Sequence, residues 1–129
     1  MCGIAGIYQK KPGRDAGWLH RSLQLMSHLI RHRGPDGSGT WMAPDQRSGL
    51  CHRRLSIIDT SETGHQPMSL PDELLTISYN GELYNYLELR EELRPYFNFR
   101  TQSDTEVILA SYLHWGESCQ DRFRGMFAF

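Results

Sequence analysis

The second residue of the chain is a cysteine, and its position gives it the chemistry of a nucleophile. If Met1 is removed, Cys2 carries a thiol and a free α-amine on the same residue. An α-amine with an ordinary pKa of about 7.7–8.0 can accept the proton of a thiol whose ordinary pKa is about 8.5. A base and a nucleophile on one residue form the N-terminal variant of nucleophilic catalysis. The alternative is that Cys2 is a small buried apolar residue of a strand.

A pair of arginines lies in a segment that otherwise has the composition of a strand. Residues 50–58 are rich in apolar and β-branched side chains, which predicts a central strand. Alternation along this strand places Arg53 with Cys51 on one face and Arg54 with His52 on the other. An arginine in such a strand lies either at an exposed edge or in a cleft that holds an anion.

A polar segment follows a second predicted strand, at residues 74–79. Asn80, Gly81 and Glu82 lie between this strand and a predicted helix that Asn85 would cap. We therefore predict a strand-to-helix junction, where backbone N–H groups and side chains are available to ligands.

Asp104 lies in the first turn of another predicted helix. Ser103 and Glu106 form a capping-box pattern at its start, and apolar residues follow at helical spacing. The helix dipole stabilises a carboxylate at this position, so a structural role is sufficient for Asp104. The same carboxylate is also able to bind a cation.

Further elements must hold these residues in place. Residues 3–8 are predicted to form a strand, and the apolar spacing after Asp15 predicts an amphipathic helix that covers a sheet. The apolar stripe of this helix consists of Leu19, Leu23, Met26 and Ile30. Residues 31–39 are predicted to form a loop, and residues 40–42 and 97–99 short strands.

The 129-residue chain has the length of one domain, and residues 1–129 are predicted to form it. A formal charge of -1 and a pI near 6.6 give no general attraction to nucleic acid or to a membrane surface. We expect free thiols and a cytoplasmic location, because three cysteines without a C-x-x-C pair or a signal peptide are typical of a reducing compartment. Cys2, Cys51, His52 and Cys119 match no structural zinc spacing, and we predict no metal site.

The last residues, 123–129, form an apolar strand-like run that ends without a polar residue. A natural domain rarely ends on such an unfinished strand. We therefore expect the chain to be part of a larger protein.

Six segments of the chain, in order, resemble one known family. They are MCGIAGIY, RHRGPDGSG, HRRLSIID, NGELYN, SDTEVILA and RGMFAF. Together they are similar to the N-terminal glutaminase domain of glutamine-hydrolysing asparagine synthetases, which are class II glutamine amidotransferases. The resemblance implies an α+β fold, the N-terminal nucleophile hydrolase αββα sandwich of two antiparallel sheets flanked by helices, here truncated at its C-terminal end.

The resemblance also implies a role for individual residues. Cys2 corresponds to the family's nucleophile, which hydrolyses glutamine to glutamate and ammonia through a thioester, and Asn80 with Gly81 corresponds to the oxyanion hole. Arg54 corresponds to the residue that binds the glutamine carboxylate, and Asp104 to the residue that binds its amino group. The glutamine-binding positions as a set correspond to Arg54, Leu55, Ser56, Ile57, Ile58, Asn80, Gly81, Glu82 and Asp104.

For this domain the resemblance implies no cofactor, no nucleic acid and no membrane. ATP and Mg are expected only for a synthetase domain downstream, which uses the ammonia to make asparagine from aspartate. A homodimer stays open. Two other functions also stay open: an amidotransferase that serves a different acceptor, such as a sugar phosphate, and a non-catalytic module that binds glutamine. A metal-binding domain is the third alternative.

Overall fold

The computed structural model describes residues 2–11, 13–55, 64–72 and 74–129. The strands are β1 (Gly3–Tyr8), β2 (Gly37–Met42), β3 (Ser48–Arg54), β4 (Met68–Ser69), β5 (Thr76–Ile77), β6 (Asn80–Leu83) and β7 (Gly125–Ala128). The helices are α1 (Ala16–Leu29), α2 (Tyr86–Leu93) and α3 (Asp104–Trp115), with 3₁₀ helices at Arg31–Arg33 and Gly116–Arg122. Every strand pair in the described part is antiparallel, which confirms the predicted α+β class. Within that part, no helix is both long and apolar enough to cross a membrane.

Helix α1 covers a three-stranded sheet in the order β1-β3-β2. It begins where predicted, because the Asp15 carboxylate accepts a hydrogen bond from the Trp18 backbone N–H at 2.7 Å. Leu19 and Leu23 on its apolar stripe are fully buried against Cys51 of β3. Burial of a leucine side chain stabilises the folded state by about 1.5–3 kcal/mol, so this stripe fastens the helix to the sheet.

A second core lies under helices α2 and α3. Leu83 of β6, Leu93 of α2 and Val107 of α3 are fully buried in it. Strand β4 pairs with β5, and β6 pairs with β7. These short strands therefore form the layer on which α2 and α3 pack.

Two buried hydrogen bonds join the two strand layers. Alternation along β3 places Cys51 and His52 on opposite faces, as predicted, and the structure shows that the Cys51 face is the one under α1. His52 Nε2 donates to the Tyr79 carbonyl oxygen at 3.1 Å, and Ser78 Oγ donates to the Cys51 carbonyl oxygen at 3.2 Å. The order of layers is helix, sheet, sheet, helices, in agreement with the αββα architecture.

The prediction of a loop at residues 31–39 is wrong for residues 37–39, which belong to β2. Gly37 and Gly39 lie in β2, where they pair with β3. A Cβ atom on Gly39 would overlap the Gln66 backbone and lie 2.8 Å from His65 Nε2. Glycine is required here by the close approach of residues 65–66, and not by a turn.

Two capping predictions are partly wrong, because tertiary contacts compete for the side chains. Ser103 caps α3 as predicted, but the Glu106 carboxylate accepts hydrogen bonds from Thr101 and the Arg100 N–H instead of returning to Ser103. The Asn85 side chain makes no cap and binds the backbone next to β7.

Two predicted strands also differ from the structure. Of residues 74–79, only Thr76–Ile77 forms a strand, and residues 80–82 lie in β6 instead of in the junction, which follows at residues 84–85. Residues 97–99 form no strand, because Phe97 and Phe99 pack their side chains on the α2–α3 core without pairing their backbones.

Candidate active site

A cavity of about 290 Å³ opens between the two strand layers. This volume is at the lower end of the range typical of ligand pockets, so it fits a small molecule. Seven of the residues that the sequence singled out line it: Cys2, Arg54, Leu55, Asn80, Gly81, Glu82 and Asp104. Ser56, Ile57 and Ile58, predicted to bind glutamine as well, lie outside the described residues.

The Cys2 sulfur lies against the end of strand β3. The Leu55 backbone N–H donates to Cys2 Sγ at 3.4 Å, and the Leu55 carbonyl oxygen lies 3.8 Å from the same sulfur. Arg33 Nε donates to the Cys2 carbonyl oxygen at 3.1 Å. These contacts hold the half-buried thiol at the cavity wall, so the interpretation of Cys2 as an inert core residue does not describe its surroundings.

The two adjacent arginines of β3 have different surroundings. Arg53 Nε donates to the Ser27 carbonyl oxygen of α1 at 3.0 Å, and Arg53 therefore belongs to the helix-covered face. Arg54 lies on the opposite face and lines the cavity. Strand alternation predicted this division, and Arg54 is the arginine of the pair that faces the cavity.

Gly81 packs closely against β7 in the pairing between β6 and β7. A Cβ atom at this position would lie 2.5 Å from Phe127 Cα and 2.7 Å from Phe127 Cβ, and closer still to the Met126 carbonyl oxygen. The sequence predicts a strand-to-helix junction at this glycine. Among the described glycines only Gly116 has a positive φ, so Gly81 is required by close packing and not by a special backbone conformation.

The Asp104 carboxylate is fixed through one of its two oxygens. The Tyr79 hydroxyl donates to Oδ2 at 2.9 Å, and the Leu83 backbone N–H donates to the same atom at 3.1 Å. Asp104 is the first residue of α3, where the helix dipole favours a negative charge. The carboxylate is half-buried on the cavity wall, so it is positioned to meet a cation.

Three residues that the sequence did not single out hold the cavity wall together: Gln66, Tyr79 and Thr105. The Tyr79 N–H donates to Gln66 Oε1 at 2.6 Å, and Gln66 Nε2 donates to Thr105 Oγ1 at 3.3 Å. The Tyr79 carbonyl accepts from His52. Tyr79 could have been found from its place at the end of an alternating strand beside Asn80. Gln66 gives no such signal, because a glutamine in an irregular segment is typical of an exposed loop.

The buried histidine and tyrosine of this wall are both neutral at pH 7. Burial lowers the pKa of His52 from 6.5 to about 4. Burial, and then the neighbouring Asp104 carboxylate, raise the pKa of the Tyr79 hydroxyl well above its ordinary value of 10. The Tyr79 hydroxyl therefore keeps its proton and donates a hydrogen bond to Asp104.

The other cysteines lie away from this cavity. Cys51 is buried under α1, and Cys119 is buried in the 3₁₀ helix that follows α3. In the described ranges, no three side chains of the His, Cys, Asp and Glu types are grouped closely enough to hold a metal ion.

Comparison with known proteins gives a family match over the whole chain. A family model described as the glutamine amidotransferase domain matches residues 1–129. Asparagine synthetase (glutamine-hydrolyzing) 1 of Bacillus subtilis is 47% identical over 130 residues, and a putative asparagine synthetase (glutamine-hydrolyzing) of Mycobacterium tuberculosis is 52% identical over 142 residues. A protein of Gibberella zeae named amidase chry2 is 39% identical over 136 residues.

These similarities involve only a part of each relative. All three alignments include 100% of this chain but only 20%, 22% and 20% of the respective relatives. The chain thus spans about a fifth of the length of the curated relatives that it matches.

Proposed function

The chain belongs to the glutamine amidotransferase domain family, and from this premise we propose that it hydrolyses glutamine to glutamate and ammonia with Cys2 as nucleophile. The observation that carries the proposal is the convergence of Cys2, Arg54, Asn80, Gly81 and Asp104 on one cavity. These residues come from distant parts of the chain, so their meeting is not a consequence of sequence proximity.

Glutamine recognition requires a cation, an anion and a hydrogen-bonding cradle at fixed separations. Arg54 binds the α-carboxylate through two parallel N–H donors, a geometry that lysine does not offer. Asp104 binds the α-ammonium, which suits a carboxylate already fixed through Oδ2. The side-chain amide of glutamine then extends toward the sulfur of Cys2.

The proposed reaction has two acyl-transfer steps. After removal of Met1, the Cys2 α-amine accepts the thiol proton while the sulfur attacks the amide carbon of glutamine. The Asn80 side-chain N–H and the Gly81 backbone N–H stabilise the negative oxygen that forms. The proton passes to the leaving nitrogen, ammonia departs, and a γ-glutamyl thioester remains. Water then attacks the thioester, releases glutamate and returns the proton to the thiol.

The names of the relatives indicate a use for the ammonia. Two of the reported relatives are named asparagine synthetases, and the chain spans only about a fifth of each. We therefore propose that the complete protein supplies ammonia to a downstream synthetase domain that binds ATP and Mg and converts aspartate to asparagine. The glutaminase part itself uses no cofactor in this mechanism. A cytoplasmic location is part of the proposal, because the nucleophile must stay reduced.

A second candidate is an amidotransferase with a different acceptor. It is supported by the similarity to amidase chry2, whose name does not refer to asparagine. Both candidates share the glutaminase step and differ only in the partner of the ammonia. Adding aspartate and ATP to the complete protein distinguishes them, because only the first candidate then forms asparagine.

The test uses the protein expressed from its complete gene. Cys2→Ala should abolish ammonia release from glutamine while glutamine still binds within about threefold of the original Kd, because recognition depends on Arg54 and Asp104. Mass spectrometry of the intact protein should show loss of Met1. Unchanged ammonia release by Cys2→Ala, or a retained Met1 in active protein, would contradict the mechanism. Glutamine binding without ammonia release by the unmodified protein would instead favour the non-catalytic module.

A further inference from the structure

Tyr79 is a buried residue whose hydroxyl contacts the carboxylate assigned to the substrate ammonium. Its side chain is 3% exposed, and its hydroxyl donates to Asp104 Oδ2 at 2.9 Å. The Leu83 N–H donates to the same oxygen. From the described residues, Asp104 Oδ1 receives no hydrogen bond, so a substrate donor has one defined oxygen to approach.

The backbone of Tyr79 is fixed on both sides of its side chain. The N–H donates to Gln66 Oε1 at 2.6 Å, and the carbonyl accepts from His52 Nε2 at 3.1 Å. Both partners are buried, with exposures of 8% and 1%. Buried hydrogen bonds are costly to break, so the direction of the Tyr79 ring is determined before any ligand arrives.

Free rotation of the Asp104 carboxylate about its last side-chain bond would weaken its contact with a single ammonium group. The last side-chain torsion of aspartate is broad and roughly two-fold, so either oxygen can face the cavity unless a partner selects one. The Tyr79 hydroxyl and the Leu83 backbone N–H make this selection together, and the Tyr79 hydroxyl is the side-chain donor of the two. The raised pKa of Tyr79 keeps the proton on this hydroxyl.

We infer that Tyr79 is a positioning residue that holds Asp104 through Oδ2 so that Oδ1 receives the α-ammonium of glutamine. This inference rests on the proposed function and names a specificity determinant of the same site. Tyr79 acts through Asp104 and not on the reacting amide. Its loss therefore affects recognition of the ammonium and leaves the chemical steps unchanged.

The experiment compares two ligands in the complete protein carrying Cys2→Ala, which prevents turnover. One ligand is glutamine, and the other is 4-carbamoylbutanoate, which lacks the α-amino group. Tyr79→Phe should raise the Kd of glutamine about tenfold, since a hydrogen bond to a charged group is lost while the Leu83 N–H remains. It should change the Kd of 4-carbamoylbutanoate less than twofold. With Cys2 present, the KM for glutamine should rise about tenfold and kcat should stay within twofold.

Two further variants make the result specific to the hydrogen bond. Tyr96→Phe is the matched control, because Tyr96 is 68% exposed and packs on His114, and it should change neither Kd. 4-Aminophenylalanine at position 79 restores a donor and should return the glutamine Kd to within about threefold of the original.

Each outcome separates the inference from the function on which it rests. Equal weakening of both ligands by Tyr79→Phe, a fall in kcat with unchanged KM, or no rescue by the amino analogue would assign Tyr79 a general structural role. An unchanged glutamine Kd would remove the role altogether. If the unmodified protein neither binds glutamine nor releases ammonia, the proposed function fails first, and the inference with it.

Discussion

Gly81 packs closely against strand β7, and Gly81→Ala tests whether this strand holds the proposed oxyanion hole in place. The added methyl group would lie 2.5 Å from Phe127 Cα and 2.7 Å from Phe127 Cβ. An ordinary carbon–carbon contact needs about 3.5–4.0 Å, so one strand must move by roughly 1 Å. The neighbours are largely backbone atoms of a paired strand, and no side-chain rotation relieves the overlap.

Gly81→Ala should affect both stability and catalysis. Overpacking of this kind typically lowers the free energy of unfolding by about 1–3 kcal/mol, which should appear as faster amide exchange in β6 and β7. The shift also moves the Gly81 N–H away from the developing negative oxygen. Loss of one oxyanion donor lowers kcat by about 10²–10³-fold, and we expect a fall of at least 10²-fold here.

The assay combines hydrogen exchange, followed by mass spectrometry, with ammonia release by the complete protein. Gly13→Ala is the matched control, because a Cβ atom on Gly13 meets nothing within 4 Å. It should leave both the exchange of β6 and β7 and kcat unchanged. Unchanged kcat in Gly81→Ala, together with slowed or unaltered exchange in β6, would refute the argument that close packing against β7 maintains the catalytic geometry.

Two further predictions concern charge. Arg54→Lys should raise the KM for glutamine about 30-fold or more with a smaller change in kcat, because lysine cannot form two parallel hydrogen bonds with a carboxylate. Steady-state kinetics with glutamine measures both constants. A KM within about threefold of the original would contradict the assignment of Arg54 to the carboxylate. The stability contribution of neutral His52 should be fully present above pH 6.5 and decline as the pH falls toward about 4, because the unfolded chain binds the proton more readily than the buried ring. Between pH 7 and pH 5 this linkage amounts to about 2 kcal/mol. Urea unfolding of the complete protein and of His52→Gln should show that the acid loss is smaller in the variant, and an equal loss in both would rule out His52 as its source.

Local sequence patterns were sufficient to predict the elements that depend on contacts between neighbouring residues. Helix α1 follows from the spacing of Leu19 and Leu23 and from the Asp15 cap, and both are present. Ser103 caps α3 as predicted. These features depend on residues within a few positions of one another, so the sequence contains nearly all of the information that determines them.

Features that depend on distant contacts were not predictable in the same way. Asn85 matches a helix cap, but its amide binds the carbonyl of Arg122 and the N–H of Arg124. Gly81 lies in a predicted strand-to-helix junction, yet its small size is required by Phe127, 46 positions later. In both cases the deciding partner lies in or beside β7, and no local pattern reveals which strand will pair with residues 80–83.

The residues of the candidate site were predicted from family motifs, whereas the residues that hold them in place were not. Cys2, Arg54, Asn80, Gly81 and Asp104 line one cavity. The resemblance says nothing about the residues that hold them. Gln66 and Tyr79 are supports of this kind. Gln66 has no signal in the sequence, and the one signal for Tyr79 is its place at the end of a predicted strand beside Asn80.

The placement of the site explains why these supports matter. Cys2 precedes β1, Arg54 ends β3, Asn80 begins β6 and Asp104 begins α3, so each group lies at the end of a regular element. Element ends have fewer backbone hydrogen bonds than element interiors, and side chains there need other partners to keep their direction. Those partners form one chain of buried hydrogen bonds from His52 through Tyr79 and Gln66 to Thr105. These hydrogen bonds join β3 to α3 across both strand layers. A substitution at any of these four residues should therefore weaken glutamine binding even where the protein still folds.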